Sequence, residues 1–214
     1  MSIIAIIILS YLAGSFPTAL IMGYLLKGVD IRTLGSGNMG ATNVFRQLGL
    51  PAGIITLLID MFKGFASAYW ISRLGSGFIN DWAGLMILAG VCAILGHTFT
   101  VFAGFHGGKG VATAAGMVIA ISPWIVLICA GIFLLTLLLT GYVSVGSMLS
   151  VISFGIIHII LYISGSTDSL WLFVFSIIIP FFIIWTHRSN LKKLAGGEEG
   201  RFENLMIFRK KVKK

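Results

Sequence analysis

Hydrocarbon-like residues run along this chain in long blocks separated by short polar interruptions. The blocks cover about residues 3–26, 51–73, 82–104, 124–140, 143–164 and 169–186. A helix needs ~20 apolar residues to cross a bilayer core, so the pattern predicts six clear spans. A further apolar piece, about 110–122, is short and rich in Gly and Ala. As a helix it would be only ~18 Å long at 1.5 Å per residue.

Charge placement decides whether that short piece counts. The first cation, Lys27, follows the first block, which favours an external N-terminus. If the short piece crosses and turns at Ser122-Pro123, the 27–50 and 105–109 loops and the 141–143 turn fall inside. The 74–81 and 165–168 loops then fall outside. The tail ends inside with Arg188, Lys192, Lys193, Arg201, Arg209, Lys210, Lys211, Lys213 and Lys214. Without that crossing all these cations are external, against the usual bias. The expected fold is therefore an all-α polytopic membrane helix bundle of about seven transmembrane helices, one of them short. Its N-terminus is outside and its C-terminus cytoplasmic. One transmembrane domain is expected over residues 1–190, with a basic tail over 191–214. The first 26 residues carry no basic n-region and read as a span, not a signal peptide.

Composition agrees. Charged residues are 10% of the 214, against roughly 25% in soluble proteins, and mean hydropathy is +1.02. The net charge of +8 suits anionic lipid headgroups better than nucleic acid. Cys92 and Cys129 sit in apolar stretches, far from any paired-cysteine motif, and read as small buried hydrophobes. Asp60 and Lys63, three apart inside the second block, can pair on one helix face. A lone charge at mid-bilayer costs about 2.5–3.5 kcal/mol on insertion scales, so both are expected to face the bundle interior, as a structural pair or as substrate contacts. His158, mid-span without polar neighbours, reads as structural.

Two glycine-rich segments interrupt this hydrocarbon: Gly35-Ser-Gly-Asn-Met-Gly-Ala-Thr-Asn43 and Gly104-Phe-His-Gly-Gly-Lys-Gly-Val-Ala-Thr113. Small residues let backbone N–H groups approach an anion, which hydroxyls, amides and a cation then bind. The first segment offers Ser36, Asn38, Thr42 and Asn43, with Arg46 one helical turn after Asn43 and suited to a bidentate phosphate contact. The second offers Gly107, Gly108, Lys109, Gly110 and Thr113, with His97 ending the span before it. A helix N-terminus recessed in the membrane at Gly107-Gly108-Lys109 would suit an anion. A third grouping joins Ser144 and Ser147, one turn apart, with His187, Arg188 and Asn190 where the last span meets the tail.

Two familiar motifs are excluded. Gly35-x-Gly37-x-x-Gly40 has the spacing of a dinucleotide fingerprint, but no strand precedes it and Asp60, twenty residues past Gly40, lies inside a span. Gly108-Lys109 is not a Walker loop, because Ala103 and Gly110 stand where that motif needs Gly and Ser or Thr. What remains is phosphate-suited chemistry in a lipid-suited body, as for a substrate with phosphate at one end and a fatty chain at the other. A membrane transporter of phosphate or a small phosphorylated metabolite is the competing class. No internal repeats support it.

Taken in order, the first segment with Arg46, Gly96-His97-x-Phe99 through Gly107-Gly-Lys-Gly-Val-Ala-Thr113, and Tyr142-Val-Ser-x-Gly-Ser147 with His187-Arg-x-Asn190 resemble the bacterial acyl-phosphate:glycerol-3-phosphate acyltransferases, the PlsY family. The resemblance covers about residues 10–198. The family commonly has lysine where this chain has His106, proline where it has Thr100 and glutamate where it has Ser189; Glu198 matches a later acidic position.

The resemblance implies an enzyme of the bacterial inner membrane, multi-pass, with its site at the cytoplasmic face. It implies acyl transfer from acyl phosphate to the sn-1 hydroxyl of glycerol 3-phosphate, giving lysophosphatidic acid and inorganic phosphate. On resemblance and chemistry together, Ser36, Arg46, Lys109, Ser147, His187 and Asn190 are assigned to glycerol 3-phosphate, and Ser144 is grouped with Ser147. The 107–110 amides, Asn38, Thr42, Asn43 and Thr113 are assigned to acyl phosphate. No cofactor and no metal are expected, since an acyl phosphate is already activated. The general base is His97 or His187, or a phosphate oxygen of a substrate. Partners are the two substrates and membrane lipids, with no nucleic acid and no oligomeric state implied.

Overall fold

The computed structural model describes residues 2–75, 82–167 and 169–207, and every regular element among them is helical. The expected 74–81 loop from residue 76 on, Asp168, and the tail cations Arg209, Lys210, Lys211, Lys213 and Lys214 lie outside the described residues. The chain divides into two compact units, Met1–Pro123 and Trp124–Lys214.

The first unit holds α1 (Ile3–Ser15), α2 (Thr18–Lys27), a 3-10 turn (Ile31–Thr33), α3 (Ala41–Leu48), α4 (Leu50–Ala66), α5 (Trp82–Thr98), a 3-10 turn (Val101–Ala103) and α6 (Val111–Ile121). Helix α4 runs on through a π turn (Ser67–Ile71) and a 3-10 turn (Ser72–Gly75). The first apolar block is broken at Phe16-Pro17. Proline has no N–H and pushes the residue before it out of the α region; Phe16 accordingly has φ −52° and ψ 117°. The carbonyls freed there are taken by side chains: the Thr100 hydroxyl donates to Ser15 O, and Lys63 Nζ to Phe16 O at 2.9 Å. Irregular backbone at membrane depth is tolerated where protein buries it in this way.

Glycines set two close helix crossings. A Cβ on Gly14 would overlap the Ala93 carbonyl and one on Gly96 the Tyr11 carbonyl, which holds α1 against α5; Ser15 Oγ donates to Gly96 O at 3.2 Å across the same contact. Between α4 and α6, Gly64 meets the Thr113 carbonyl and Gly116 the Met61 carbonyl. Lipid offers no hydrophobic drive between helices, so such close backbone approach supplies the packing. Gly116→Val should therefore lower stability by about 1–3 kcal/mol, the usual cost of overpacking. Gly131→Val, at a position with nothing within 4 Å, should stay within about 0.5 kcal/mol. Thermal unfolding in detergent checks both.

The second unit holds α7 (Pro123–Thr140), α8 (Val143–Ile163), α9 (Leu170–Thr186), α10 (Arg188–Ala195) and a 3-10 turn (Glu203–Leu205). Helices α8 and α9 pack with Phe154 edge-on to Phe175 at 5.9 Å and Gly155 against the Ser176 carbonyl. His158 is buried there, its Nδ1 donating to Phe154 O at 3.1 Å. The expected tail is in part folded structure. Phe202 N donates to Gly141 O at 2.9 Å, Ile207 N to Leu138 O at 3.0 Å, and the Arg201 guanidinium covers the Tyr142 ring at 4.6 Å.

Five stretches are long and apolar enough to cross a membrane: Ile3–Lys27, Leu50–Gly75, Trp82–Ala103, Pro123–Thr140 and Val143–Ile163. A sixth is α9 with α10, bent by 58° at His187. The short seventh piece forms a helix of 11 residues, about 16 Å long. Apolar side chains such as Leu25, Trp124, Ile163 and Phe181 are more than 70% exposed, as suits contact with lipid tails. The chain is a multi-span integral membrane protein.

Candidate active site

The first glycine segment is shaped by a buried amide. Helix α2 stops at Gly28, in the left-handed region. Asp30 then caps the 3-10 turn, accepting from Arg32 N at 2.9 Å, and pairs with the Arg32 guanidinium at 2.6 Å. That guanidinium holds the Asp30 carboxyl below the usual carboxylate range. The contribution of this pair is present above the ordinary carboxylate pKa and is lost only as pH falls through the depressed folded value. Gly35 and Gly37, with φ of 58° and 70°, carry the chain through a turn closed by Gly37 N to Leu34 O at 3.0 Å.

Asn43, on α3, is buried beneath this turn. Its amide nitrogen donates to Ile31 O at 3.3 Å and Leu34 O at 3.1 Å, and its oxygen accepts from Ser36 N at 3.1 Å. A Cβ on Gly35 would come within 2.5 Å of Asn43 Oδ1, so glycine is required for this approach. Asn43 therefore shapes the loop from within. Ser36 is exposed and its Oγ accepts from Asn38 N at 3.4 Å, Thr42 is half-buried, and Arg46 is exposed one turn after Asn43.

The second segment folds back on the end of α5. Gly108 N donates to His97 O at 3.0 Å. A Cβ on Gly107 would overlap the His97 and Thr98 carbonyls, and one on Gly108 would overlap His97 Nε2. Phe105, with φ 62°, is the one non-glycine described residue in the left-handed region, held by its N–H to Thr100 O at 2.8 Å. His106 is exposed, its Nδ1 donating to Gly104 O at 2.7 Å. Gly110, at φ 84°, is the N-cap of α6 and, as glycine, gives its first turn no side-chain cap. Lys109, half-buried, lies just before this cap. Thr113 is fully buried at the α4–α6 crossing, and its hydroxyl has no hydrogen-bond partner among the described residues.

The two glycine segments meet. Asn38 Nδ2 donates to Gly107 O at 3.5 Å, and Arg32 Nη1 to Ala103 O at 3.1 Å. Behind the junction lies a polar recess lined by Phe16, Pro17, Thr18, Asp60, Lys63, His97, Thr100, Gly107 and Gly108. Lys63 Nζ pairs with Asp60 Oδ1 at 2.8 Å and stands 3.3 Å from His97 Nδ1; Thr18 Oγ1 donates to the same Asp60 oxygen at 3.1 Å. All four side chains are buried. The expected Asp60–Lys63 pair is present and faces the interior. Sequence reasoning missed Thr18, Thr100 and the Phe16 carbonyl, for which Pro17 inside an apolar block was the available signal.

In the second unit, Ser144 and Ser147 are buried on the first turns of α8, Ser147 Oγ donating to Val143 O at 2.9 Å. The Ser144 hydroxyl has no hydrogen-bond partner among the described residues. His187, also buried, donates from Nδ1 to Ile183 O at 2.8 Å, which leaves Nε2 as the acceptor of the neutral ring. Asn190 Nδ2 donates to Glu199 Oε1 at 2.6 Å. Glu199 went unread in the sequence, where attention fell on Glu198. Among the described residues, no three His, Cys, Asp or Glu side chains come together in a way that could hold a metal ion.

Comparison with known proteins follows the same arrangement of elements. A family model described as glycerol-3-phosphate acyltransferase matches residues 4–197. The glycerol-3-phosphate acyltransferase of Chlorobaculum tepidum is 45% identical, over 94% of this chain and 97% of its own. That of Chlorobium phaeobacteroides is 42% identical, over 95% and 97%. The crystal structure of PlsY (YgiH), an integral membrane glycerol 3-phosphate acyltransferase, in its glycerol 3-phosphate form matches with a TM-score of 0.82 at 37% identity, covering 94% of this chain and 96% of that one. The lysophosphatidic acid form of the same protein matches with a TM-score of 0.80.

Proposed function

The chain belongs to the glycerol-3-phosphate acyltransferase family, and on that premise we propose that it moves a fatty acyl group from acyl phosphate to the sn-1 hydroxyl of glycerol 3-phosphate. The sn-1 oxygen attacks the acyl carbonyl carbon and the carbon–oxygen bond to phosphate breaks. Phosphate leaves with the electron pair, and the ester product is lysophosphatidic acid. The hydroxyl proton passes to a phosphate oxygen of the substrates, with His97 and His187 the side-chain alternatives. Orienting two reactants supplies about 7–11 kcal/mol of barrier lowering, enough for a reaction whose donor is already activated.

The observation that carries this reading is the meeting of the two glycine segments beside an α6 start whose N-cap residue is Gly110, with no side chain of its own to cap the helix. Backbone N–H groups at a helix start carry partial positive charge and suit phosphate. The amides of residues 107–110 with Asn38 and Thr42 receive the acyl phosphate. Asn43 and Thr113 support it from their buried positions, Asn43 through the loop and Thr113 through the α6 crossing. Ser36, Arg46 and Lys109 bind glycerol 3-phosphate. Ser144, Ser147, His187 and Asn190 of the second unit keep the same assignment, tested one by one as a rise in KM for that substrate. Residues 1–190 act as one acyltransferase domain, in keeping with a family match that spans both units; residues 191–214 add a basic tail.

The enzyme works in the bacterial inner membrane with this site at the cytoplasmic face and its N-terminus outside. Lys27, Arg32 and Arg46 in the connection between the first two spans and the cations after residue 187 support that orientation. The test uses purified protein with acyl phosphate and glycerol 3-phosphate. Phosphate release that requires glycerol 3-phosphate, with lysophosphatidic acid identified by mass, is the expected result. Protein that forms no lysophosphatidic acid overturns the reading.

A further inference from the structure

Lys63 has three N–H donors and no lone pair. Three acceptors stand around it: Asp60 Oδ1 at 2.8 Å, Phe16 O at 2.9 Å and His97 Nδ1 at 3.3 Å. The first is a carboxylate that also takes the Thr18 hydroxyl. The second is a carbonyl freed by the Pro17 break. The third is a ring nitrogen, and facing an ammonium it can only accept. The other arrangement, Nδ1–H donating to Asp60 Oδ1, would span 3.7 Å, beyond hydrogen-bonding distance.

We propose that Lys63, held in place by Asp60, Thr18 and the Phe16 carbonyl, sets His97 as the Nε2–H tautomer and so makes it a fixed hydrogen-bond donor to substrate phosphate, not the general base. The lone pair at Nδ1 is engaged by the ammonium and Nε2 already carries its proton, so the ring has no free position at which to take up another. Nε2 lies against Gly108, which aims the N–H at the glycine loop. An imidazolium is excluded for the same reason, since it has no lone pair to offer the ammonium. His97 is thus the catalytic residue, and Lys63, Asp60 and Thr18 are positioning residues that act through it. The opposite tautomer, Nδ1–H, is the one that His187 holds through Ile183 O. The inference rests on the acyl-transfer reading given above.

Two measurements test it. Protein carrying nitrogen-15 histidine, in lipid nanodiscs at neutral pH, is examined by NMR, with the His97 signals identified by their loss in His97→Gln. An unprotonated Nδ1 and a protonated Nε2 are expected, and Lys63→Met is expected to redistribute the tautomers. Wild type holding His97 as Nδ1–H or as imidazolium overturns the proposal, whether or not the lysine variant folds. In the acyl-transfer assay, His97→Gln keeps an N–H near the Nε2 position and removes the basic nitrogen. It should retain turnover within about tenfold, where loss of a true base costs about 10²–10⁴-fold. His97→Ala, which removes the donor, should fall by about 10²–10³-fold. Folded His97→Gln as inactive as His97→Ala overturns the proposal. Wild type that makes no lysophosphatidic acid overturns the acyl-transfer reading instead, whatever the tautomer.

Discussion

Gly108→Ala should lower turnover by about 100-fold while the protein still folds. The added methyl would occupy the position now held by His97 Nε2, so either the loop or the imidazole must move. Both neighbours are constrained. The loop is tied by Gly108 N to His97 O and by Asn38 to Gly107 O. The ring is held at Nδ1 by Lys63. A displacement of about 1 Å in a positioning group costs on the order of 10²-fold in rate. The check is glycerol-3-phosphate-dependent phosphate release, with Gly131→Ala as the matched control because nothing lies within 4 Å of that position. Turnover equal to wild type in Gly108→Ala would show that the loop does not seat against His97 in the working enzyme.

Lys63→Met should be the most destabilising of the substitutions considered, by about 3–5 kcal/mol, the usual cost of breaking a buried ion pair on one side. Methionine approximates the apolar stem but leaves the Asp60 carboxylate, 1% exposed, without its ammonium partner and held by the Thr18 hydroxyl at 3.1 Å. The Phe16 carbonyl also loses its donor. The double variant Asp60→Asn with Lys63→Met should recover much of the loss, because replacing both members of a buried pair is often neutral. Unfolding midpoints of the single and double variants in the same detergent give the comparison. A single variant as stable as wild type would mean that the pair contributes nothing to the fold.

Much of the helical layout was legible residue by residue. The expected spans at 51–73, 82–104, 124–140, 143–164 and 169–186 correspond closely to Leu50–Gly75, Trp82–Ala103, Pro123–Thr140, Val143–Ile163 and Leu170–Thr186. Hydropathy is a local sum, so it survives without knowledge of partners. The first block, 3–26, also corresponds to a single span, Ile3–Lys27, but Pro17 divides its helix into α1 and α2. Proline's effect on its own backbone is local, but the break is stabilised by Lys63 and Thr100, which are distant in the chain.

The site was legible in kind and less so in detail. Both glycine segments were recognised from composition, and the left-handed Gly35, Gly37, Gly104 and Gly110 are the conformations that such residues permit. Asn43 was read as a ligand group because an amide beside glycines suits an anion. Its burial under the turn follows from α3 placing it below Leu34 and Ile31, a matter of three-dimensional direction that spacing does not disclose. Glu199 escaped notice because two adjacent glutamates carry no mark of which one meets Asn190. His97 was read as a functional candidate, but the partner of its Nδ1 is a lysine 34 residues away.

Apolar blocks, glycines and charge bias were enough to specify an all-helical membrane chain with two phosphate-suited segments, because each is a property of a residue and its near neighbours. The junction of those segments, the ring of acceptors around Lys63 and the burial of Asn43 arise only on folding. Among these contacts, Lys63 with His97, Thr18 with Asp60 and Asn38 with Gly107 join groups 34 to 69 residues apart. Low-dielectric surroundings make each such polar contact consequential, and the chain brings them together only when the glycine crossings close.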